Sequence, residues 1–307
     1  MLVEEFVERA LYGPDGFYET GGRAGRRGAS FVTSPEVGPL FGAVVARALD
    51  RWWRDAGEPD EWLVIDAGAG PGTLARAIRA AEPECGAALR IVSVERSATQ
   101  RALHDVAGGD VSASELPDTA DVIIANELLD NLPFGLLERT PEGWMAVSVR
   151  PDGTTSPDAG GPRVPVAGRA AAWVLDARRR IRAGGRLVCL DYADTTAAMA
   201  RRPWTLWVRG FAGHEQLDAP FAEPGSRDVT VVVPHDQLPT PTTQSTQAGW
   251  LRANGIAELV AEGKSHWEEH AAAPDVEALR MRSRVSEAEA LLDPDGLGGF
   301  WVGEWLL

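Results

Sequence analysis

The run Trp62-Leu63-Val64-Ile65-Asp66-Ala67-Gly68-Ala69-Gly70-Pro71-Gly72-Thr73-Leu74 constrains this chain more than any other stretch. A short continuous apolar segment suits a strand buried on both faces of a parallel sheet. Glycines at alternate positions beyond it let the backbone turn tightly and let a ligand approach the main chain. A helical pattern resumes at Thr73. Strand, glycine turn and helix together predict the opening unit of a doubly wound α/β fold. A glycine-rich turn that holds no ligand is the plainer alternative.

A second apolar run, Arg90 to Val94, ends at Glu95, 25 residues beyond Gly70. In a right-handed strand-helix-strand unit this strand end lies beside the glycine turn. A carboxylate there can accept both hydroxyls of a ribose, although a lone acid at a strand end is also an ordinary solvated cap. A third run, Asp121 to Ala125, delivers Asn126 and Glu127 at its carboxyl end, with Asp130 one helical turn on. Pro133 then stops any long helix. Asn126 and Asp130 could instead cap that turn. The nicotinamide dinucleotide fingerprint G-x-G-x-x-G/A would place a glycine or alanine at position 73, where this chain has threonine. No Tyr-x-x-x-Lys pair supports an oxidoreductase either.

The 307 residues can bury one large core or two modest ones, and the formal net charge of −15 argues against a nucleic-acid surface. No apolar run reaches about 18 residues, so no membrane-spanning helix is expected. The acidic start Met1 to Phe6 does not read as a secretory signal, and a cytoplasmic location is the expectation. Cys85 and Cys189 support neither a disulfide framework nor a cysteine zinc site. His266 and His270 stand at helical spacing without an H-E-x-x-H motif, so an exposed helix face is expected there and no metal.

Leu2 to Leu11 has helical spacing, and Gly21 to Gly28 reads as a mobile loop. Ser34-Pro35-Glu36 opens a helix expected to run to about Ala56. Ser97 to Val106 reads as a helix, and Leu136 to Val149 as a hairpin turning at Glu142-Gly143. Arg169 to Arg182 reads as a helix stopped by Gly184-Gly185, followed by a strand to Asp191. The tail from Gly299 suits a final strand. These patterns divide the chain into an N-terminal helical extension with a covering loop (1–58), an α/β core (59–194 plus 255–307) and an inserted substrate-side region (195–254).

Several separated segments resemble one family, the MidA-type methyltransferases, which includes a mitochondrial complex I assembly factor that dimethylates arginine. They are Ala10-Leu11-Tyr12 with Gly16-Phe17-Tyr18, and Phe31 to Glu36 with Leu40-Phe41-Gly42. Asp66 to Leu74, Ala125 to Pro133 and Gly184 to Tyr192 follow, with a weaker match at Thr246-Gln247. The D-x-G-x-G-x-G spacing from Asp66 is similar to the first motif of enzymes that use S-adenosylmethionine. Thr-Ser-Pro-Glu and Ala-Asn-Glu-x-x-Asp-x-Leu-Pro are more specific than the glycines. Two departures stand out. Gly28-Ala29-Ser30-Phe31 replaces the family's Gly-Asp-Phe and puts the usual activity in question, and Asp66 stands where glutamate is common.

The resemblance implies a Rossmann-like sheet with helices on both faces, S-adenosylmethionine as cofactor, and methyl transfer to a nitrogen such as that of an arginine on a protein. Asp66, Gly68, Gly70 and Gly72 would cradle the donor's methionine part, and Glu95 its ribose. Asp110 would reach the adenine edge, unless it is simply a solvated loop acid. Thr33, Ser34 and Glu36 would close the site. Glu127 and Asp130 would orient the acceptor, and Asn126 would fix the donor or acceptor amide. The competing reading is a non-catalytic binding factor that keeps the cofactor site. The sequence sets no oligomeric state.

Overall fold

The computed structural model describes residues 1–20, 33–104, 106, 110–212, 215–217 and 219–307. The expected loop 21–28 and the Gly28–Phe31 departure therefore lie outside the described residues. The helices used below are Val3–Tyr12 (α1), Ser34–Val37 (α2), Pro39–Asp55 (α3), Thr73–Ala80 (α4), Ala98–Arg101 (α5) and Gly168–Arg180 (α6). The main-sheet strands are Trp62–Ala67 (β1), Leu89–Val94 (β2), Val111–Ala113 (β3), Ala120–Asn126 (β4), Ile181–Asp191 (β5), Thr243–Thr246 (β6) and Trp301–Leu306 (β7).

The sheet order is β6-β7-β5-β4-β1-β2-β3. Strands β1 to β5 pair in parallel, while β7 runs antiparallel to both β5 and β6. Alternate side chains of each strand enter opposite cores, as the two-residue period of a strand dictates. Val64, Ile91, Ile124 and Val188 pack with Leu40, Phe41, Val44 and Leu49 of α3 and with Leu74 and Ile78 of α4. Ile65, Val92, Ile123 and Leu187 pack on the other face with Ala170, Val174 and Ala177 of α6. The α/β architecture with helices on both faces is thus the one expected. The chain runs from β1 outward to β3, then returns to lay β4 on the free edge of β1. At such a reversal the loops after two neighbouring strands diverge, and a crevice opens at their carboxyl ends.

A third core joins α1 to strands outside the main sheet. Val3, Phe6, Val7 and Leu11 pack with Trp207, Val208, Phe221, Val229 and Val231. The segment 1–58 is therefore shared between two cores, α1 in this one and α3 directly on the sheet. Thr243–Thr246, inside the segment expected as an insertion, forms an edge of the main sheet instead.

Three local expectations change. The helix expected from Ser34 breaks at Gly38, whose φ of 163° is extended backbone, and restarts at Pro39. The Ser97 helix is only Ala98–Arg101, with Ser97 Oγ accepting the Gln100 amide at 3.3 Å. Gly184 and Gly185 do not stop α6, which ends at Arg180. They sit in β5 where its register with β4 shifts, and a Cβ on Gly185 would lie 2.3 Å from the Asp121 carbonyl oxygen.

Candidate functional site

The crevice is a cavity of about 430 Å³ at the carboxyl ends of β1, β2, β3 and β4. Its volume falls in the range of about 300–1,000 Å³ typical of small-molecule sites. Gly68 and Gly70 line it at φ +72° and +51°. A Cβ on Gly68 would meet the Leu128 side chain at 2.9 Å, whereas one on Gly70 would meet no atom within 4 Å. The space before Gly70 is open, which is what a ligand on the main chain needs. Gly72 adopts φ +76° to start α4 and shapes the turn without lining the cavity.

Glu95 enters from the end of β2. Its Oε2 accepts the Gly70 amide at 3.0 Å and its Oε1 accepts the Ser97 amide at 2.8 Å. Burial pushes its carboxyl up, and these two amides pull against that. An ionised carboxylate has about four acceptor positions, so two remain for a ligand. His104 holds the other side of the turn, with Nε2 at 2.8 Å from the Gly70 carbonyl and Nδ1 at 2.8 Å from Ser112 Oγ. The carbonyl only accepts, so Nε2 donates to it. No sequence spacing singled out this histidine.

Asp110 is a correction. It lies away from the cavity, where its carboxylate accepts from Arg79 Nε at 2.9 Å and from the Ile91 amide at 2.9 Å. The cavity wall beyond β3 is built by Ser114, Glu115 and Leu116 instead. Arg180 of α6 holds that segment, donating to the Leu116 carbonyl at 2.9 Å and the Pro117 carbonyl at 3.0 Å.

At the other end Glu127 follows β4 with φ +52°, a left-handed backbone that costs a non-glycine residue free energy. Its Oε1 accepts the Ser34 amide and Asn126 Nδ2, both at 3.0 Å. Four acceptor atoms on residues lining the cavity are buried and have no hydrogen-bond partner among the described residues: Glu36 Oε2, Asp66 Oδ2, Asn126 Oδ1 and Glu127 Oε2. Burial pushes Asp66 and Glu36 up to about 7 and Glu127 up to about 8. A buried acceptor left bare is costly, so this end favours a ligand rich in N–H donors.

Asp130 is the second correction. Residues Leu129–Asn131 form a 3-10 turn, and Asp130 faces away from the cavity, its Oδ2 accepting the Tyr192 hydroxyl at 2.7 Å. Burial raises its carboxyl to about 6. Asn131, its neighbour, lines the cavity instead. Thr33, Pro35 and Glu36 also line it, whereas the Ser34 side chain is buried against Gln247 Oε1 at 2.9 Å. Tyr12 and Tyr18, from the family-like segments Ala10-Leu11-Tyr12 and Gly16-Phe17-Tyr18, form the N-terminal wall with rings stacked at 5.6 Å.

Residues 44–163 match the family described as putative S-adenosyl-L-methionine-dependent methyltransferase. The mouse mitochondrial protein arginine methyltransferase NDUFAF7 is 23% identical over 78% of this chain, and the chain spans only 65% of that relative's length. The Drosophila melanogaster homolog is 39% identical, over 24% of this chain and 17% of its own length. A Burkholderia thailandensis protein solved with S-adenosylhomocysteine bound has a TM-score of 0.77 at 24% identity, covering 99% of this chain and 87% of its own. A second, native crystal structure from that organism has a TM-score of 0.77 at 22% identity over 100% of this chain and 87% of its own. These likenesses establish the fold.

Proposed function

We propose that this chain, which resembles the MidA-type S-adenosylmethionine-dependent methyltransferases, methylates a guanidinium nitrogen of arginine on a protein. The observation that carries the acceptor is the cluster of bare acceptors on Glu36, Asn126 and Glu127. A guanidinium offers five N–H donors in a planar fork and no acceptor, the complement of that cluster.

The residues also fit the donor. Open space at Gly70, two spare acceptor positions on Glu95 and a bare Asp66 Oδ2 suit a group that carries a ribose diol and an ammonium. Gly68 and Gly70 would hold the methionine part with Asp66, Glu95 would hold the ribose, and Val94 with the 114–116 segment would enclose the adenine. When bound, that group supplies a methyl carried on a sulfonium.

Transfer then depends on orientation, because an arginine stays protonated in water and is a poor nucleophile. Glu127 Oε2 and Glu36 Oε2 would accept from one side of the guanidinium and draw its positive charge there, leaving the opposite nitrogen to attack. Pairing with a cation ionises Glu127, so its Oε2 can take the proton of the N–H it accepts as the opposite nitrogen gains the methyl, leaving a methylguanidinium with one positive charge. Asn126 Oδ1 would hold a further N–H in plane. Among the described residues six acids line the cavity, and the two arginines there are already paired, Arg96 with Glu8 and Arg180 with Asp176.

The test is labelled methyl transfer from S-adenosylmethionine into a lysate lacking this protein, with wild type and Glu127→Gln both titrated with S-adenosylhomocysteine. A band labelled by wild type alone, whose label maps to arginine, with equal product affinity in both proteins, supports the reading. Tight product binding with no labelled protein in either would replace it with a binding factor.

A further inference from the structure

Asp228, Tyr18 and Asn131 close a triangle behind the cavity wall. Asn131 Nδ2 donates to Asp228 Oδ1 at 3.0 Å. The Tyr18 hydroxyl oxygen lies 3.1 Å from Asp228 Oδ2 and 3.2 Å from Asn131 Oδ1. Tyr18 and Asn131 line the cavity, and Asp228 is buried behind them.

The hydrogens in this triangle can be counted. A tyrosine hydroxyl gives one, a primary amide gives its two from nitrogen only, and an ionised carboxylate gives none. With Asn131 donating to Asp228, the single Tyr18 hydrogen serves either Asn131 or Asp228 and leaves the other oxygen pair bare. Turning the amide over sets its oxygen against Asp228 Oδ1 and again leaves one pair bare. Only a proton on Asp228 gives every contact a hydrogen, and it does so in both amide orientations.

We propose that Asp228 carries a proton in the closed wall and is the positioning residue that locks Tyr18 and Asn131 into it, so that its ionisation as pH rises releases the strap 13–20. The strap is otherwise held to the rest of the chain by five bonds among the described residues: Gly13 N to the Arg9 carbonyl at 3.0 Å, Phe17 N to the Ala10 carbonyl at 2.9 Å, Tyr18 N to the Leu11 carbonyl at 3.1 Å, Ser97 Oγ to the Tyr18 carbonyl at 2.8 Å and Thr99 Oγ1 to the Glu19 carbonyl at 3.3 Å.

The surroundings agree. Burial, then the nearby Asp130, push Asp228 up to about 7. Tyr12 and Tyr18 are themselves raised by burial and stay neutral, so they add no charge. The basic groups nearest along the strands are engaged elsewhere. Arg227 donates to the Ala219 carbonyl at 2.7 Å, and Arg209 lies 5.6 Å over the Tyr192 ring.

The test is hydrogen exchange of residues 13–20 in the free protein between pH 6 and 9, corrected for the intrinsic chemical rate. Wild type should lose about fivefold in protection across this range, the equilibrium change that one net hydrogen bond carries. Asp228→Asn mimics the protonated acid and should keep its protection throughout. Tyr18→Phe removes the hydroxyl and should show low protection at every pH, which preserves the test if the first variant fails to fold. Wild-type protection that does not change with pH, or an Asp228→Asn variant that loses it as wild type does, would overturn the proposal. The readout needs neither methyl donor nor acceptor, so its failure is distinct from failure of the methyltransferase reading.

Discussion

Glu95 and Gly70 stand 25 residues apart in the chain, and Glu95 Oε2 accepts the Gly70 amide at 3.0 Å. The acid at the end of β2 therefore holds the glycine turn after β1 and, on the reading above, the donor's ribose as well. Glu95→Gln removes the charge and turns one acceptor atom into a donor facing an amide. Loss of a hydrogen bond to a charged group is about 1.5–3 kcal/mol. S-adenosylhomocysteine affinity should fall at least about tenfold by calorimetry, and unchanged affinity would remove Glu95 from the donor site.

Gly70→Ala tests the cradle separately. A Cβ there meets no protein atom, so the variant should fold, with about 1–2 kcal/mol lost to the left-handed φ of +51°. The same Cβ would stand in the open space of the cavity. Product affinity should drop more than tenfold while the melting temperature falls by only a few degrees, as about 1–2 kcal/mol implies for a chain of this size.

Asp110→Ala should do the reverse. This carboxylate braces Arg79 and the Ile91 amide away from the cavity. Denaturant unfolding should show a loss of about 1–3 kcal/mol, with product affinity unchanged. A selective loss of affinity would restore the adenine role expected from sequence.

Stability should fall as pH rises. Burial lifts Asp66 and Asp228 to about 7 and Glu127 to about 8, above the ordinary carboxyl value of about 4. Between those values the folded chain binds more protons than the unfolded chain, so unfolding free energy declines with pH through that window. Urea midpoints should be lower at pH 8.5 than at pH 5.5, with a smaller difference in Glu127→Gln. A midpoint that rises over this range would contradict the assigned burial.

Cation binding should release protons. At pH 7, Asp66 and Glu36 are partly protonated in the empty cavity, and a positive ligand favours their ionised forms. Calorimetry in buffers of different ionisation enthalpy should count more protons released by S-adenosylmethionine than by S-adenosylhomocysteine, which lacks the sulfonium charge. Equal counts would place the sulfonium away from these acids.

Much of the site was readable because it lies on single strands. Asp66, Glu95, Asn126 and Glu127 each end an apolar run, and all four reach the cavity for that reason. Asp130 was misread because sequence spacing assumed a helical turn. Instead Glu127 takes φ +52° before a 3-10 turn, and that turn carries Asp130 to Tyr192. Asp110 was misread because nothing in its own neighbourhood signals Arg79, whose guanidinium arrives from α4.

The sequence by itself determined the alternation of buried strands with helices and the acids at the strand ends, since both follow from local periodicity and glycine backbone freedom. Tertiary structure alone decided which acids face the cavity and which groups stand behind them. His104 on the Gly70 carbonyl, Arg180 on Leu116 and Asp228 on Tyr18 are contacts between segments 34, 64 and 210 residues apart. Such contacts form only when packed strands and helices bring distant polar groups together in a buried space, where each must find a partner, and no local pattern encodes that requirement.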